Sequence, residues 1–162
     1  MEKDVLMVLV HAVAELLLER GLRLATAESC TGGWVAKVCT DLPGSSEWFE
    51  CGFVTYSNVA KQDMLEVSDI TLETFGAVSE VVTAEMARGV IANSQASVSV
   101  SVSGIAGPGG ATPDKPVGMV CFGWLVPDRP VKTATCYFDG DREAVRQQAV
   151  EHALRGLLAL LR

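Results

Sequence analysis

The chain has 162 residues, and since domains usually have roughly 100 to 200 residues, this length predicts a single folding unit. Apolar residues make up 49% and charged residues 20%, which is typical of a globular protein and excludes a disordered chain. The formal net charge of −7 lacks the positive footprint that phosphate backbones require, so we expect no binding to nucleic-acid polymers.

The first predicted element is an amphipathic helix. Apolar residues recur at helical spacing from Leu6 to Leu17, and Gly21 follows at the place where a left-handed turn ends a helix. The apolar stretch within this helix, residues 5–14, is shorter than the roughly 20 residues of a membrane span. We therefore expect no membrane among the partners of this protein.

Strands and helices then alternate through the middle of the chain. Residues 22–25 predict a short strand, and a helix with a Ser/Thr-type cap follows from Thr31. β-Branched and aromatic residues predict a second strand. This strand covers residues 51–57, and the helices that follow it cover residues 61–66, 71–75 and 83–93.

The last third of the chain predicts three more strands and a helix. Ser and Val alternate strictly over residues 97–103, so a strand here has one valine face and one serine face, and the serine face packs closely against a neighbour. Residues 117–126 and 131–138 predict a β-hairpin, and Asp141 caps a final helix. The whole pattern predicts an α/β fold with a mixed sheet and helices on both faces.

The cysteines indicate a reducing compartment. The chain has five of them, with no CxxC pair and no pair at a metal-binding distance from a histidine. This usage favours free thiols in a cytoplasmic protein over disulfides or a zinc site. We expect no bound metal.

The first polar cluster, residues 28–33, connects a predicted strand to a predicted helix. Small residues let a ligand approach the backbone there, and Ser29 lies at the turn. The cluster therefore predicts either a phosphate site or a nucleophile, and the alternative is a capped helix start with glycines for tight packing. Cys30 is the rival nucleophile, because a thiol at a helix N-terminus can ionise readily.

A serine-lysine pair is available in the second cluster. Ser45 and Ser46 lie in a turn, and Tyr56 and Lys61 follow at the end of a strand and in a helix. A lysine acts as a base towards a serine hydroxyl if burial lowers its pKa. Both histidines fall in predicted helices away from the polar loops, which argues against a Ser-His-Asp triad. The alternative for Lys61 is a solvated charge on a helix.

Two further clusters are suited to an anion. The glycine-rich loop of residues 103–110 can turn backbone N–H groups inward, although it matches neither a Walker motif nor a dinucleotide fingerprint. Arg142 lies near a helix start, where the helix dipole favours acids, so an anionic ligand would explain it. The alternative is a surface arginine paired with Asp139 or Glu143.

Seven sequence strings in order resemble the CinA C-terminal domain family, whose active members are nicotinamide-nucleotide amidases. The strings are AESCTGGWVAKV (27–38), PGSS (43–46), GFVTYSNVAK (52–61), GAVSE (76–80), SGIAGPGG (103–110), KPVG (115–118) and GDREAVR (140–146). The resemblance implies one three-layer α/β/α sandwich over residues 1–162 that forms a homodimer and needs no metal or organic cofactor. It also implies that a small nucleotide, nicotinamide mononucleotide, is hydrolysed to nicotinic acid mononucleotide and ammonia in NAD salvage.

The residues and the resemblance together lead to a hypothesis for the site. Ser29 attacks the amide carbon, neutral Lys61 accepts its proton, and Tyr56 relays or positions that proton. Backbone N–H groups of residues 31–33 stabilise the oxyanion, and Ser45 or Ser46 remains a second candidate nucleophile. The residues expected to bind substrate are Thr31, Gly32, Ser45, Ser46, Ser103, Gly104, Gly107 and Arg142.

Two alternative functions stay open at this point. One is a catalytically silent relative that binds a nucleotide or a partner protein, because a fold by itself does not determine function. The other is a general hydrolase of small amides, which would also cleave nicotinamide without its ribose phosphate. An arginine that binds phosphate, such as Arg142, argues against the second alternative.

Overall fold

A mixed five-stranded sheet forms the centre of the computed structural model, which describes residues 2–162, with side chains from residue 5 onward. The strands are β1 (Leu24–Glu28), β2 (Phe49–Val54), β3 (Val98–Gly104), β4 (Met119–Leu125) and β5 (Lys132–Tyr137). Their order in the sheet is β2-β1-β3-β4-β5. β2, β1 and β3 are parallel, whereas β4 and β5 form an antiparallel hairpin beside β3.

Helices cover both faces of this sheet. They are α1 (Glu2–Arg20), α2 (Trp34–Thr40), α3 (Asn58–Leu65), α4 (Asp69–Phe75), α5 (Glu80–Ala92) and α6 (Arg142–Leu161). α1, α2 and α6 pack together on one face, and α5 packs on the other face with α3 and α4 beside it. The predicted three-layer α/β/α sandwich with a mixed sheet is therefore confirmed.

The alternating residues of β3 explain why α5 lies so close to the sheet. The valines of β3 enter the core under α1 and α6. On the other face Ser99 Oγ donates to the Ala87 carbonyl at 2.8 Å, and Ser101 Oγ donates to the Thr83 carbonyl at 2.6 Å. Short hydroxyl side chains allow this approach and satisfy the buried polar atoms at once. The predicted close packing of the serine face is confirmed.

Three predicted boundaries were clearly wrong. The first strand, predicted over residues 22–25, covers Leu24–Glu28. The second strand begins at Phe49 and ends at Val54, because its pairing with β1 starts at Leu24 and Phe49 and the chain then leaves the sheet. α2 begins at Trp34 without a Ser/Thr cap, since Gly32 and Gly33 have φ angles of 60° and 103° that no α-helix contains.

α5 also contains a glycine, Gly89, at a position where a larger side chain would collide with α3. A Cβ atom on Gly89 would lie 2.0 Å from the Leu65 carbonyl oxygen at the end of α3. Glycine to alanine in a helix usually stabilises by roughly 0.5–1 kcal/mol. Here Gly89→Ala is expected to lower the free energy of unfolding by about 1–3 kcal/mol in urea denaturation, because one helix must move.

Arg88→Ala provides the matched control, since Arg88 is the preceding residue of α5 and is exposed. Its effect on unfolding is expected to stay within about 0.5 kcal/mol. A Gly89→Ala protein that is as stable as the wild type would show that the close approach of α3 and α5 is not required.

Candidate active site

The candidate site lies where three parallel strands end at the same edge of the sheet. Ser29 follows β1, Tyr56 follows β2 closely, and β3 ends at Gly104. Open α/β sheets place their ligands at this edge. A cavity of about 300 Å³ opens there, and it brings together seven residues of the predicted site: Ser29, Tyr56, Lys61, Ser103, Gly104, Gly107 and Arg142.

Lys61 and Ser29 are in direct contact at the bottom of this cavity. Lys61 is 1% exposed and Ser29 is 8% exposed, and Lys61 Nζ lies 3.1 Å from Ser29 Oγ. The same nitrogen contacts the carbonyl oxygens of Thr55 at 2.9 Å and Tyr56 at 3.4 Å. Lys61 is thus a buried residue of α3 and not the solvated helix charge that was its alternative.

The buried environment of Lys61 Nζ favours its neutral amine form. Burial lowers the pKa of Lys61 from its ordinary value, because the charged form loses its hydration. The hydrogen-bond partners of Nζ given above are all uncharged. A neutral amine can donate its two N–H groups to the carbonyls of Thr55 and Tyr56 and direct its lone pair at the Ser29 hydroxyl. This is the arrangement that a general base for Ser29 requires.

A tight turn sets the position of Ser29. The Ser29 N–H donates to the Val102 carbonyl at 3.0 Å, which ties the turn to the end of β3. The Ser29 carbonyl accepts from the Gly32 N–H at 3.1 Å. The main chain around the hydroxyl is therefore held on both sides.

The Glu28 carboxylate binds the start of α2 from inside the fold. Glu28 is 1% exposed and accepts from Thr31 Oγ1 at 2.6 Å, from the Val35 N–H at 2.8 Å and from the Ala36 N–H at 3.1 Å. These helix N–H groups are therefore engaged by the protein itself. Within residues 31–33 the Gly32 N–H is engaged as well, by the Ser29 carbonyl, so the oxyanion role expected of this stretch stays a prediction that Gly32 does not support.

Arg142 and Tyr56 meet at the mouth of the cavity. Arg142 Nη1 donates to the Gly107 carbonyl at 2.7 Å, and Nη2 donates to the Tyr56 hydroxyl at 3.1 Å. Arg142 therefore binds the glycine-rich loop, whereas the alternative assigned it to Asp139 or Glu143. The Tyr56 hydroxyl faces Arg142 and Lys61 reaches Ser29 directly, so the geometry contains no relay through Tyr56.

Thr31 and Gly32 lie behind the site and not in it. The Thr31 side chain is fully buried and bonded to Glu28. Both residues border a separate cavity of about 690 Å³ between α1, α2 and α6, together with Trp34 and Arg146. The placement of Thr31 and Gly32 against substrate is corrected for this reason.

Ser45 and Ser46 lie at the opposite edge of the sheet. They belong to a short 3₁₀ helix, Ser45–Glu47, that precedes β2, and the Trp48 carbonyl that follows binds the N–H of Leu24 at the start of β1. Five residues of β1 separate the two edges, a distance on the order of 15 Å. Within one chain neither serine reaches the cavity of Ser29, so their placement at the site is corrected.

Burial disfavours Cys30 as the rival nucleophile. Burial raises the pKa of the Cys30 thiol to about 12, although the nearby Arg146 guanidinium acts in the opposite direction. A thiol with this pKa is almost wholly protonated at neutral pH and reacts slowly. The expectation that a helix N-terminus would ionise Cys30 fails chiefly because burial disfavours the thiolate, and the nearby Glu28 carboxylate raises the pKa of the thiol further.

Sequence reasoning missed two residues that hold the turn after Ser29. Glu28 is the only charged residue of the strand LATAE, and a buried acid just before a helix is a signal for a cap. Arg146 donates to the backbone carbonyls of Cys30 and Thr31. Its position one helical turn after Arg142 was visible in the sequence, but its partners were not.

Between residues 2 and 162 no helix is long and apolar enough to cross a membrane. Among residues 5–162, whose side chains the structure describes, no three His, Cys, Asp or Glu side chains are grouped so that they could hold a metal ion.

The fold and the site define an α/β/α protein with a buried Ser-Lys pair at the carboxyl edge of its sheet. Residues 7–161 match the CinA C-terminal domain, and the chain belongs to this family. The "Nicotinamide-nucleotide amidohydrolase PncC" of Enterobacter agglomerans is 56% identical over 142 residues, which cover 88% of this chain and 87% of that protein. The protein of the same name from Escherichia coli strain K12 is 53% identical over 152 residues, with coverage of 94% and 92%.

Solved structures agree with this assignment. The crystal structure of competence/damage inducible protein CihA from Agrobacterium tumefaciens has a TM-score of 0.94 and 42% sequence identity to this chain. The likeness covers 98% of this chain and 96% of the other. The arrangement of strands and helices is therefore that of the family.

The protonated state of Cys30 leads to a prediction about thiol chemistry. Iodoacetamide at about pH 8 is expected to leave Cys30 unmodified in the native protein and to modify it after denaturation, as read by peptide mass spectrometry. Cys30→Ala is expected to keep turnover within a few-fold of the wild type, because Arg146 binds the backbone of residue 30 and not its side chain. Alkylation of native Cys30 with a parallel loss of activity would restore the thiol as a candidate nucleophile.

Proposed function

We propose that this protein hydrolyses the carboxamide of nicotinamide mononucleotide, giving nicotinic acid mononucleotide and ammonia in pyridine-nucleotide salvage. The observation that carries the proposal is the buried contact of 3.1 Å between Lys61 Nζ and Ser29 Oγ. Two relatives support the proposal, because proteins 53% and 56% identical to this chain carry the name nicotinamide-nucleotide amidohydrolase. The enzyme class is accordingly an amidohydrolase.

In the first half of the reaction Ser29 becomes acylated. Ser29 Oγ bonds to the carboxamide carbon while its proton passes to the neutral amine of Lys61, and the carbonyl electrons move onto oxygen. The C–N bond then breaks, Lys61 returns the proton to the leaving nitrogen, and ammonia departs. An ester joins Ser29 to the acyl group of the nucleotide.

Water completes the cycle. Lys61 accepts a proton from the attacking water, the ester C–O bond breaks, and the proton returns to Ser29 Oγ. We assign the stabilisation of the oxyanion in both halves to the backbone N–H of Cys30, since Cys30 follows the nucleophile and borders the cavity. The residue after the nucleophile has this role in other serine hydrolases.

The rest of the cavity suits the remainder of the substrate. Arg142 is a five-donor guanidinium at the mouth, and residues 103–110 supply backbone beside it, so this side is assigned to the phosphate and ribose. The pyridinium ring carries a positive charge that an acidic protein of net charge −7 tolerates. A preference for the phosphorylated substrate over free nicotinamide follows from this division.

Three further features belong to the same proposal. The family resemblance implies a homodimer and a single domain over residues 1–162, and the cysteine usage indicates a cytoplasmic location. The silent binding module remains the second candidate function, and the release of ammonia from nicotinamide mononucleotide by the pure protein separates the two. A protein that is stabilised by the nucleotide without releasing ammonia would favour the binding module.

The roles of Ser29 and Lys61 are tested by paired substitutions. Ser29→Ala and Lys61→Met are each expected to reduce ammonia release by ~100- to 10,000-fold or more, because one removes the nucleophile and the other removes the base. Rapid quenching of the wild-type reaction is expected to trap an acyl group on the peptide that contains Ser29. Ser46→Ala belongs in the same series as the test of the second nucleophile.

Two control substitutions test whether a loss of turnover is specific to residues of the cavity. Ser68→Ala and Lys132→Met change exposed residues outside the cavity and are expected to leave turnover unchanged. Full activity in Ser29→Ala, or an acyl group trapped on Ser46, would overturn the assignment of the nucleophile.

The lowered pKa of Lys61 predicts a pH dependence. Activity requires the neutral amine, so kcat/KM is expected to rise with pH through the Lys61 pKa, with its midpoint below about 10.4, the ordinary lysine pKa. Lys61→Arg keeps a positive charge at every accessible pH and is expected to be inactive throughout. A flat wild-type profile over the whole range in which the protein stays folded would contradict a lysine base.

A further inference from the structure

Arg146 holds the main chain immediately after Ser29. Its Nε donates to the Cys30 carbonyl at 3.0 Å, and its Nη2 donates to the Thr31 carbonyl at 3.2 Å. The guanidinium is planar and rigid, so two parallel N–H groups fix two carbonyls more firmly than one flexible donor does. Arg146 therefore sets the direction of both peptide groups that follow the nucleophile.

The guanidinium is itself held in place. It lies over the Trp34 ring with its central carbon 5.6 Å from the ring centroid, a distance suited to a cation–π interaction. Gly32 lies directly beneath it, because a Cβ at that position would be 3.3 Å from Nη2. The glycine of the turn thus leaves the space that the arginine uses.

The turn is consequently bound from two opposite directions. Glu28 accepts hydrogen bonds from the N–H groups of Val35 and Ala36 and from the Thr31 hydroxyl, inside the fold. Arg146 approaches from the larger cavity between α1, α2 and α6. The Glu28 carboxylate accepts from the hydrogen-bond donors of this short segment, and the Arg146 guanidinium donates to its carbonyl acceptors. The turn therefore has little freedom to rotate.

We propose that Arg146 is a positioning residue for catalysis, which keeps the turn after β1 in the one orientation that aims Ser29 Oγ at Lys61 Nζ and at the substrate. Arg146 itself borders the other cavity and is not among the residues that line the site of Ser29. The inference rests on the proposed function, since it takes Ser29 to be the nucleophile. Misplacing a reacting atom by about 1 Å can cost on the order of 100-fold in rate.

The kinetic constants of Arg146→Ala provide the first test. We expect kcat for ammonia release from nicotinamide mononucleotide to fall by about 10- to 100-fold with KM within about two-fold, because substrate binding residues are untouched. Arg146→Lys keeps the charge but not the planar fork, so it is expected to recover part of kcat. Arg155→Ala is the matched control on α6, where Arg155 is exposed and paired with Glu151, and it is expected to leave kcat unchanged.

A double substitution tests whether Arg146 acts through Ser29. Ser29→Ala removes the hydroxyl that Arg146 is proposed to position. The double variant Ser29→Ala/Arg146→Ala is therefore expected to have the same residual rate as Ser29→Ala alone, and the same Kd for nicotinamide mononucleotide. A weaker Kd in the double variant would show that Arg146 supports binding and would overturn the proposal. Thermal unfolding of every variant establishes the folded fraction to which kcat is referred.

The outcomes for Arg146 and for the proposed function are distinguishable. Inactive Ser29→Ala with fully active Arg146→Ala overturns the positioning role alone. A second outcome also overturns the positioning role. If Arg146→Ala and Arg146→Lys lose kcat equally, and the loss disappears once kcat is corrected for the folded fraction, Arg146 has only a structural role. Active Ser29→Ala removes the nucleophile and with it the proposed mechanism.

Discussion

The buried carboxylate of Glu28 is the constraint on which the site depends. A polar group at 1% exposure is costly unless hydrogen bonds replace its hydration. Glu28 obtains them from the Thr31 hydroxyl and from the first N–H groups of α2. Because Glu28 ends β1, which lies between β2 and β3, this requirement folds the next residues sharply back, and Ser29 is left at the edge of the sheet, facing the cavity.

Lys61 completes the site from a different part of the chain. The Ser57 side chain caps α3 by accepting from the Ala60 N–H at 3.0 Å, and the helix carries the Lys61 side chain beneath the end of β2. The Thr55 carbonyl that Lys61 reaches belongs to a residue whose own N–H donates to the Glu28 carbonyl at 2.9 Å. The nucleophile and its base are thus linked through one hydrogen-bonded stretch of main chain, and burial then favours the neutral amine.

Much of the fold was predictable because its signals are local. The alternation of Ser and Val in β3 and the Asp141 cap of α6 were read correctly, since side-chain period and capping chemistry depend on adjacent residues. Seven of the predicted site residues also meet in one cavity. The errors lay elsewhere. The start of α2 depends on the left-handed conformation of Gly32 and Gly33, which the helix-like string did not reveal. The burial of the Cys30 thiol and the positions of Ser45 and Ser46 depend on packing and on which end of a strand a loop occupies.

The sequence by itself determined the class of each element, the single-sheet α/β architecture and the supply of polar residues at loop ends. It also contained the strings that mark the family. Only the tertiary structure decided which of those polar residues share a cavity, since strand order brings Ser29, Tyr56 and Gly104 to one edge and leaves Ser46 at the other. Burial is likewise a property of the packed molecule, and it is burial that lowers the pKa of Lys61 and raises that of Cys30.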